Sequence, residues 1–146
     1  MRYNEKGQIH PDFHRTTNAT IAYIREKYGL EFLDEIFRKT ALNVYRAIHD
    51  DLKKGSPEHL LEHWCYFFDR ENGDYSIQRC RDEIHMEVHR CPAVDYLQRK
   101  GISIDPAFCR QTEMMNDALA QNTPFDIETD VLGGGRCAQT VRRRST

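Results

Sequence analysis

Residues 84–93 have the sequence IHMEVHRCPA, which is the most informative segment of the chain for its fold. Apolar and polar side chains alternate, a period of two that is typical of a β-strand with one covered face. Cys91 and Pro92 end the alternation, because proline lacks the backbone N–H that a sheet needs and is favoured at the first position of a helix. The segment predicts a strand over residues 84–91 that leads directly into a helix.

Helices are expected on both sides of this strand, because apolar residues recur there at spacings of three and four. Gly29 and the pair Asn72-Gly73 separate or end these patterns, since glycine commonly terminates a helix. The first expected helix begins at Thr17 or Asn18 and ends at Tyr28. The other expected helices cover residues 31–53, 57–72, 93–100 and 106–121.

Four short segments have the pattern of strands. They cover residues 75–81, 84–91, 125–131 and 136–143, the last two joined through Gly133-Gly134-Gly135. The element order ααα–ββ–αα–ββ predicts an α+β fold, with N-terminal helices packed on a small antiparallel sheet. The length of 146 residues suits one domain, expected over residues 15–143, with an irregular arm at 1–14 and a tail at 144–146.

Composition and charge exclude several classes of partner. The chain has 21 Lys and Arg against 23 Asp and Glu, a net charge of −2, so it has no general electrostatic footprint for nucleic acid. No apolar run approaches the ~20 residues of a membrane helix, and the N-terminus carries no hydrophobic signal segment. We therefore expect a cytoplasmic protein with a small-molecule substrate and no membrane partner. The third helix has apolar residues on nearly every side, among them Trp64 and Phe67, which indicates either a helix buried on both faces or a homodimer surface.

The strand at 84–91 carries a row of chemically active side chains on its polar face. Alternation places His85, Glu87, His89 and Cys91 on this face, ~6.6 Å apart along the strand. Imidazole and carboxylate groups at that spacing can meet one small substrate or one metal ion. The alternative is a solvated outer face of an antiparallel sheet, where polar residues are common. The terminal thiol favours the functional interpretation, because a thiol contributes little to a solvated face.

Cys91 is expected at a junction between strand and helix. There the helix dipole and free backbone N–H groups favour a thiolate, which predicts a lowered pKa for its thiol. The alternative is a buried structural cysteine. The same dipole argument applies more weakly to Cys109, with Glu113 one turn further along the same face, and Cys137 follows the three glycines. All five cysteines are expected to be free thiols, as is usual in a reducing cytoplasm.

Three segments carry a resemblance to a known family: residues 86–97 with Cys91-Pro92, the pair Phe108-Cys109, and residues 134–141 with Cys137. The chain resembles the L-2-amino-thiazoline-4-carboxylic acid hydrolase family over residues 17–143. That family comprises small bacterial proteins with a helical N-terminal half and a cysteine-bearing C-terminal half. A more distant resemblance is to 4-vinyl reductase-type ligand-binding domains, although the earlier cysteine of their zinc or ligand site is missing here.

The resemblance implies hydrolysis of a cyclic thioimidate or amidine at a C–N or C–S bond, with no cofactor. Cys91 or Cys109 would then be the nucleophile, His89 the acid–base group, and Glu87 would orient that histidine. Substrate binding is expected from His85, Glu113, Arg136 and Cys137, and the substrate carboxylate would pair with Arg90, Arg110 or Arg136.

A non-enzymatic function is the alternative. The same pocket would belong to a sensor-type domain that binds a small ligand or a metal. Its ligands would be His89, Cys91, Cys109 and Cys137, and imidazole with thiolate suits zinc or iron. Both hypotheses require these side chains to converge on one hollow.

Overall fold

The computed structural model describes residues 12–145, which form six helices and one four-stranded antiparallel sheet. The helices are α1 Asp12–Tyr28, α2 Leu30–Val44, α3 Arg46–Lys53, α4 Glu58–Arg70, α5 Pro92–Arg99 and α6 Arg110–Ala120. The strands are β1 Asp74–Arg79, β2 Glu83–Arg90, β3 Phe125–Gly133 and β4 Arg136–Arg143. The predicted α+β class is confirmed. No helix within residues 12–145 is both long and apolar enough to span a membrane.

The sheet has the strand order β1-β2-β4-β3, so β2 and β4 are its central strands. Met86 of β2 lies opposite Gln139 of β4, and Val88 lies opposite Cys137. The face that carries these four residues is directed toward the helices, because Met86 and Val88 are fully buried in the hydrophobic core. The strand predicted from the alternation therefore lies at the centre of the sheet, and its apolar side chains form part of the core.

The core consists of two clusters. The larger one lies between the sheet and the helices α3, α4 and α6, and the smaller one lies among α1, α2, α5 and the segment before α6. Cys91 and Met115 pack against both clusters. Trp64 of α4 is 5% exposed and belongs to the larger cluster, so this aromatic side chain packs within the chain. The expectation of a homodimer stays a prediction.

The structure differs from the sequence predictions at several places, among them the start of α6, which lies at Arg110 and not at residue 106 because residues 106–109 form a turn. The helix expected over 31–53 is divided at Tyr45, whose backbone leaves the helical conformation. The ring of Tyr45 packs against that of His63 of α4, with 4.8 Å between the ring centroids. α1 begins at Asp12, where an acidic side chain suits a helix N-terminus, so residues 12–14 belong to a helix and not to an irregular arm. Arg144 of the expected tail binds Asp126 at 2.7 Å. Residues 1–11 and 146 lie outside the described part of the chain.

A buried polar network holds α6 on the sheet. The amide nitrogen of Asn116, a residue 5% exposed, donates to the hydroxyl of Thr129 at 2.8 Å and to the side-chain oxygen of Gln139 at 2.7 Å. The network joins α6 to both β3 and β4. Because buried polar groups are costly without partners, this arrangement specifies where α6 lies above the strands.

Replacing Asn116 by leucine is expected to lower the free energy of unfolding by about 2 kcal/mol, because the Gln139 and Thr129 side chains lose a buried partner. Urea denaturation of both proteins measures the difference. Asn43→Leu, on the exposed surface of α2, is the matched control and is expected to change stability by less than about 0.5 kcal/mol. Equal losses in the two variants would contradict the assignment.

Candidate functional site

Three of the five cysteines lie close enough for their charges to act on one another. Cys91 is the N-cap of α5, Cys109 is the N-cap of α6, and Cys137 lies near the start of β4. A negative charge on Cys91 raises the pKa of both other thiols, and one on Cys109 raises that of Cys137. All three are half-buried free thiols. We call Cys91, Cys109 and Cys137 the thiol cluster.

The position of Cys91 depends on an irregularity in β2. Tyr75 and Asp74 are consecutive in β1 but lie opposite Val88 and Arg90, so His89 is an extra residue in β2. A bulge of this kind interrupts the alternation of side chains. As a result His89 and Arg90 are both exposed, while Cys91 packs against the core.

The hairpin between β3 and β4 also fixes the position of Cys91, through a backbone hydrogen bond. The backbone N–H of Cys91 donates to the carbonyl oxygen of Gly135 at 2.8 Å. Gly134 and Gly135 both have positive φ angles, as the type I′ hairpin turn requires. A side-chain Cβ at Gly135 would lie 3.1 Å from Val94 of α5, so the hairpin can approach this closely only because residue 135 is glycine.

Cys91 caps α5 without a side-chain hydrogen bond to the helix. The backbone N–H groups of Val94 and Ala93 nevertheless lower the pKa of its thiol, as expected for a helix N-terminus. Burial has the larger opposite effect, and the charges of Glu71 and Asp95 add to it, so the pKa is raised above its usual value. The prediction of a lowered pKa is therefore wrong, because it considered the helix and left out the surrounding core.

The other two thiols are also held in the protonated form. Burial, followed by the charges of Cys91 and Glu113, raises the pKa of Cys109. Burial, together with Cys91 and Cys109, raises the pKa of Cys137 to about 12. The thiol cluster therefore carries little negative charge at neutral pH, and any reaction of it requires a proton acceptor.

The histidines of β2 lie on the opposite face of the sheet from the thiol cluster. His85 is within 2.9 Å of the Thr140 hydroxyl, and His89 is exposed, 3.3 Å from the Ser76 hydroxyl. Glu87 is also exposed, 3.9 Å from His89. The expectation that His85, Glu87 and His89 share a face with Cys91 is wrong, because the bulge turns Cys91 to the other side.

The remaining predicted residues have different positions. Glu113 is half-buried in the first turn of α6 and acts electrostatically on Cys109. Arg136 is exposed at the start of β4. Arg110 forms an ion pair with Asp34 of α2 at 2.6 Å, which occupies its guanidinium group. Apart from Cys137 itself, Glu113 is therefore the predicted substrate-binding residue whose charge acts on a member of the thiol cluster.

A histidine and a carboxylate that the sequence pattern did not single out form a pair whose carboxylate charge acts on Cys91. His14 of α1 forms a short hydrogen bond through Nε2 to the Glu71 carboxylate, and the side chains are only 12% and 14% exposed. The charge of Glu71 acts on Cys91. The two residues are 57 positions apart in the chain, so no spacing rule could have paired them.

Three surface cavities of the described residues lie away from the thiol cluster. A cavity of about 240 Å³ opens beside the turn between β1 and β2 and is lined by residues that include Arg79, Arg81 and Arg143. Shallow depressions lie on the outer side of α1 and beside the same turn. None of these three cavities is lined by the thiol cluster. Among residues 12–145, no group of three or more His, Cys, Asp or Glu side chains is arranged to hold a metal ion.

Comparison with known proteins gives no relative: no family model matches the chain, and no curated protein matches it. The chemistry is therefore inferred from the site alone. The thiol cluster offers a nucleophilic sulfur whose anionic form the backbone N–H groups of Ala93 and Val94 would stabilise. The charges of Glu71 and of the half-buried Glu113 act on the cluster. Such a set of groups suits covalent catalysis on a small electrophilic carbon.

Proposed function

We propose that this protein is a small-molecule hydrolase that opens a cyclic thioimidate or amidine, with Cys91 as nucleophile. One observation carries the proposal: the Cys91 sulfur lies at a helix N-terminus, where the backbone N–H groups of Val94 and Ala93 favour its anionic form, and two further thiols lie close enough to act on it. The resemblance of the segments around these cysteines to L-2-amino-thiazoline-4-carboxylic acid hydrolases supports the same substrate class.

In the first step the S–H bond of Cys91 adds across the C=N bond of the ring. The sulfur bonds to the amidine-like carbon, the C=N electron pair moves to the ring nitrogen, and the thiol proton passes to that nitrogen. The ring C–N bond breaks next, and the nitrogen leaves as an amine after a second protonation. Water finally adds to the carbon and the bond to the Cys91 sulfur breaks, which regenerates the thiol and releases a carbamoyl-type product.

The backbone N–H groups of Ala93 and Val94 stabilise the anionic sulfur during this sequence. Since the thiol is protonated before the reaction, its deprotonation must be coupled to attack, with the ring nitrogen as acceptor. His89 is unsuited to that step, because it is exposed on the opposite face of the sheet. Glu113 is suited to bind the amino or amidine group of the substrate near Cys109, since a carboxylate pairs with a cationic nitrogen.

Removing the thiol of Cys91 is expected to reduce turnover by at least about 10³-fold, because covalent catalysis is lost. The assay follows ring opening of 2-amino-2-thiazoline-4-carboxylate by NMR in the presence of wild-type protein or Cys91→Ala. Cys65→Ala is the matched control, since Cys65 is half-buried in α4 outside the thiol cluster. Full turnover by Cys91→Ala would refute Cys91 as the nucleophile, and full turnover by Cys109→Ala as well would refute a nucleophilic thiol at either position.

A second function is favoured by the convergence of three thiols. We propose as the alternative a sensor-type domain that binds a small ligand through the thiol cluster. Binding of zinc or iron there would require the three side chains to rearrange, because they are not arranged to hold a metal ion in the described residues. Elemental analysis of protein purified without chelator distinguishes the two functions. Stoichiometric metal, lost from Cys91→Ala and retained by Cys65→Ala, would support the sensor. Turnover of the thiazoline by metal-free protein would support the hydrolase.

The expected setting of the protein is also a proposal. We propose that it works in the cytoplasm, because a reducing compartment keeps all five cysteines in the free state that the structure shows. Its partner would be a small-molecule substrate. A homodimer is retained as an expectation that sedimentation of the purified chain would test.

A further inference from the structure

The cavity beside the turn between β1 and β2 has no part in the proposed hydrolysis, since no residue of the thiol cluster lines it. Its volume is about 240 Å³, and its walls come from the start of α4, the turn, and the ends of β3 and β4 that meet there. Three apolar side chains of the core belong to the lining: Ile84, Phe125 and Val141. A concave space with an apolar wall and a few polar groups is the usual form of a small-molecule site.

Two ion pairs cancel most of the charge around this cavity. Arg79 holds Glu58 through two hydrogen bonds, one of them 3.0 Å long. Glu83 accepts a hydrogen bond from Arg142 at 2.5 Å. The other charged residues of the lining are Arg81, Arg143 and Asp82. Two cations and one anion remain, so the cavity has a surplus of one positive charge, which suits a ligand with a single negative charge.

Arg143 is held in place while most of its guanidinium stays available. Its Nη2 donates to the carbonyl oxygen of Gly55 at 2.7 Å, and the guanidinium carbon lies 4.9 Å from the centre of the Phe125 ring. Within residues 12–145, no carboxylate forms an ion pair with Arg143 or with Arg81. A guanidinium presents its N–H groups as a planar fork that matches a carboxylate. Arg143 is therefore a fixed, unpaired cation on the wall of the cavity.

We propose that this cavity binds a small organic molecule with one carboxylate group, which pairs with the guanidinium of Arg143. The apolar part of the ligand lies along the wall that contains Ile84 and Val141, and Arg81 adds to the attraction of the anion. Cys137 and Arg143 lie near opposite ends of β4, about 20 Å apart at the spacing of a strand. The site is therefore separate from the thiol cluster, and the inference goes beyond the proposed function.

Cys80 provides a reporter for the test, because it is an exposed free thiol that lines the cavity. Iodoacetamide labels the full-length protein at pH 7 with and without benzoate, which joins one carboxylate to an apolar ring. Cleavage after glutamate places Cys80 and Cys65 on separate peptides, and mass spectrometry gives both rates. Millimolar benzoate is expected to slow labelling of Cys80 at least about threefold, because the ligand covers the thiol, and to leave Cys65 unchanged.

Arginine variants test which groups hold the anion. Arg143→Gln is expected to raise the benzoate concentration for half-maximal protection at least about tenfold, since the paired hydrogen bonds to the carboxylate are lost. Arg81→Gln changes only an exposed side chain of the turn and is expected to raise that concentration about threefold. Arg46→Gln is the matched control, because Arg46 is exposed, pairs with Asp50 and does not line the cavity. It is expected to leave protection unchanged.

Two further probes keep the proposal falsifiable. Benzamide has the same ring without the charge, and equal protection by benzamide would overturn the role of the arginines. Inorganic phosphate has charge without a ring, and equal protection by phosphate would overturn the assignment to an organic carboxylate.

Unchanged labelling of Cys80 in up to about 20 mM benzoate would overturn the site itself, since a fitting ligand of this size binds below that concentration. Protection that is identical in Arg143→Gln, Arg81→Gln and wild-type protein would overturn it as well. Thiazoline ring opening is measured separately, so the hydrolase and this site can each fail without the other.

Discussion

Gly135→Ala is expected to lower the free energy of unfolding by about 3 kcal/mol and to increase the alkylation rate of Cys91. The φ angle of Gly135 is +79°, in the left-handed region that costs an L-residue about 1 kcal/mol or more. The new Cβ would also lie 3.1 and 3.2 Å from two carbon atoms of Val94, so the hairpin must move away from α5. That movement weakens the hydrogen bond between the Cys91 N–H and the Gly135 carbonyl.

Gly134→Ala separates the two contributions. Gly134 has a φ angle of +61°, but no atom lies within 4 Å of the position of its Cβ. It is expected to lose only the backbone contribution, about 1 kcal/mol, and to leave the alkylation of Cys91 unchanged. Guanidinium denaturation and site-resolved alkylation measure both quantities. Equal losses in the two variants would show that contact with Val94 has no part in the effect.

Acidification from pH 7 to pH 4 is expected to remove about 3 kcal/mol of stability through His63 alone. Burial, and to a smaller extent the charge of His59, lowers the pKa of His63 from 6.5 to about 4. The unfolded chain therefore binds a proton in this range that the folded protein rejects. The stabilisation is complete above pH 6.5 and is lost as the pH falls toward 4. Urea denaturation at a series of pH values measures the loss.

His63→Phe is the matched variant, because phenylalanine retains an aromatic ring between Tyr45 and Phe67 but cannot bind a proton. The stability that His63→Phe loses between pH 7 and pH 4 is expected to be about 3 kcal/mol smaller than the loss in the wild-type protein. The buried carboxylates Asp34 and Asp105 contribute little to the change in stability between pH 7 and pH 4. Ion pairs lower their pKa values, so they lose their stabilising charge only below this range. Parallel pH profiles for the two proteins would exclude His63 as the cause.

Much of the architecture could be predicted from periodicity. The strand at 84–91, the helix after Pro92 and the hairpin through three glycines all follow from local rules on side-chain alternation, proline and glycine. The convergence of Cys91, Cys109 and Cys137 was part of the same hypothesis, and the structure brings these thiols together. The strand, the helix and the hairpin are local features, since each depends on residues within a few positions of one another, whereas the meeting of the three thiols depends on how their elements pack.

The nature of the site depended on the tertiary structure. A one-residue bulge opposite β1 moves Cys91 to the core side and leaves His89 outside, and a single sequence does not show which strand will induce a bulge. Burial by two core clusters raises the pKa of the Cys91 thiol above its usual value, against the effect of its helix. His14 and Glu71 meet from segments 57 residues apart.

The sequence by itself determined which residues form strands and helices and which carry reactive atoms, because the pattern of apolar side chains records which surfaces must be buried. Only the folded chain decided which reactive atoms are neighbours and how easily each gains or loses a proton. The physical reason is that pKa values and contacts depend on the groups that surround a side chain in space, and long-range packing selects those groups.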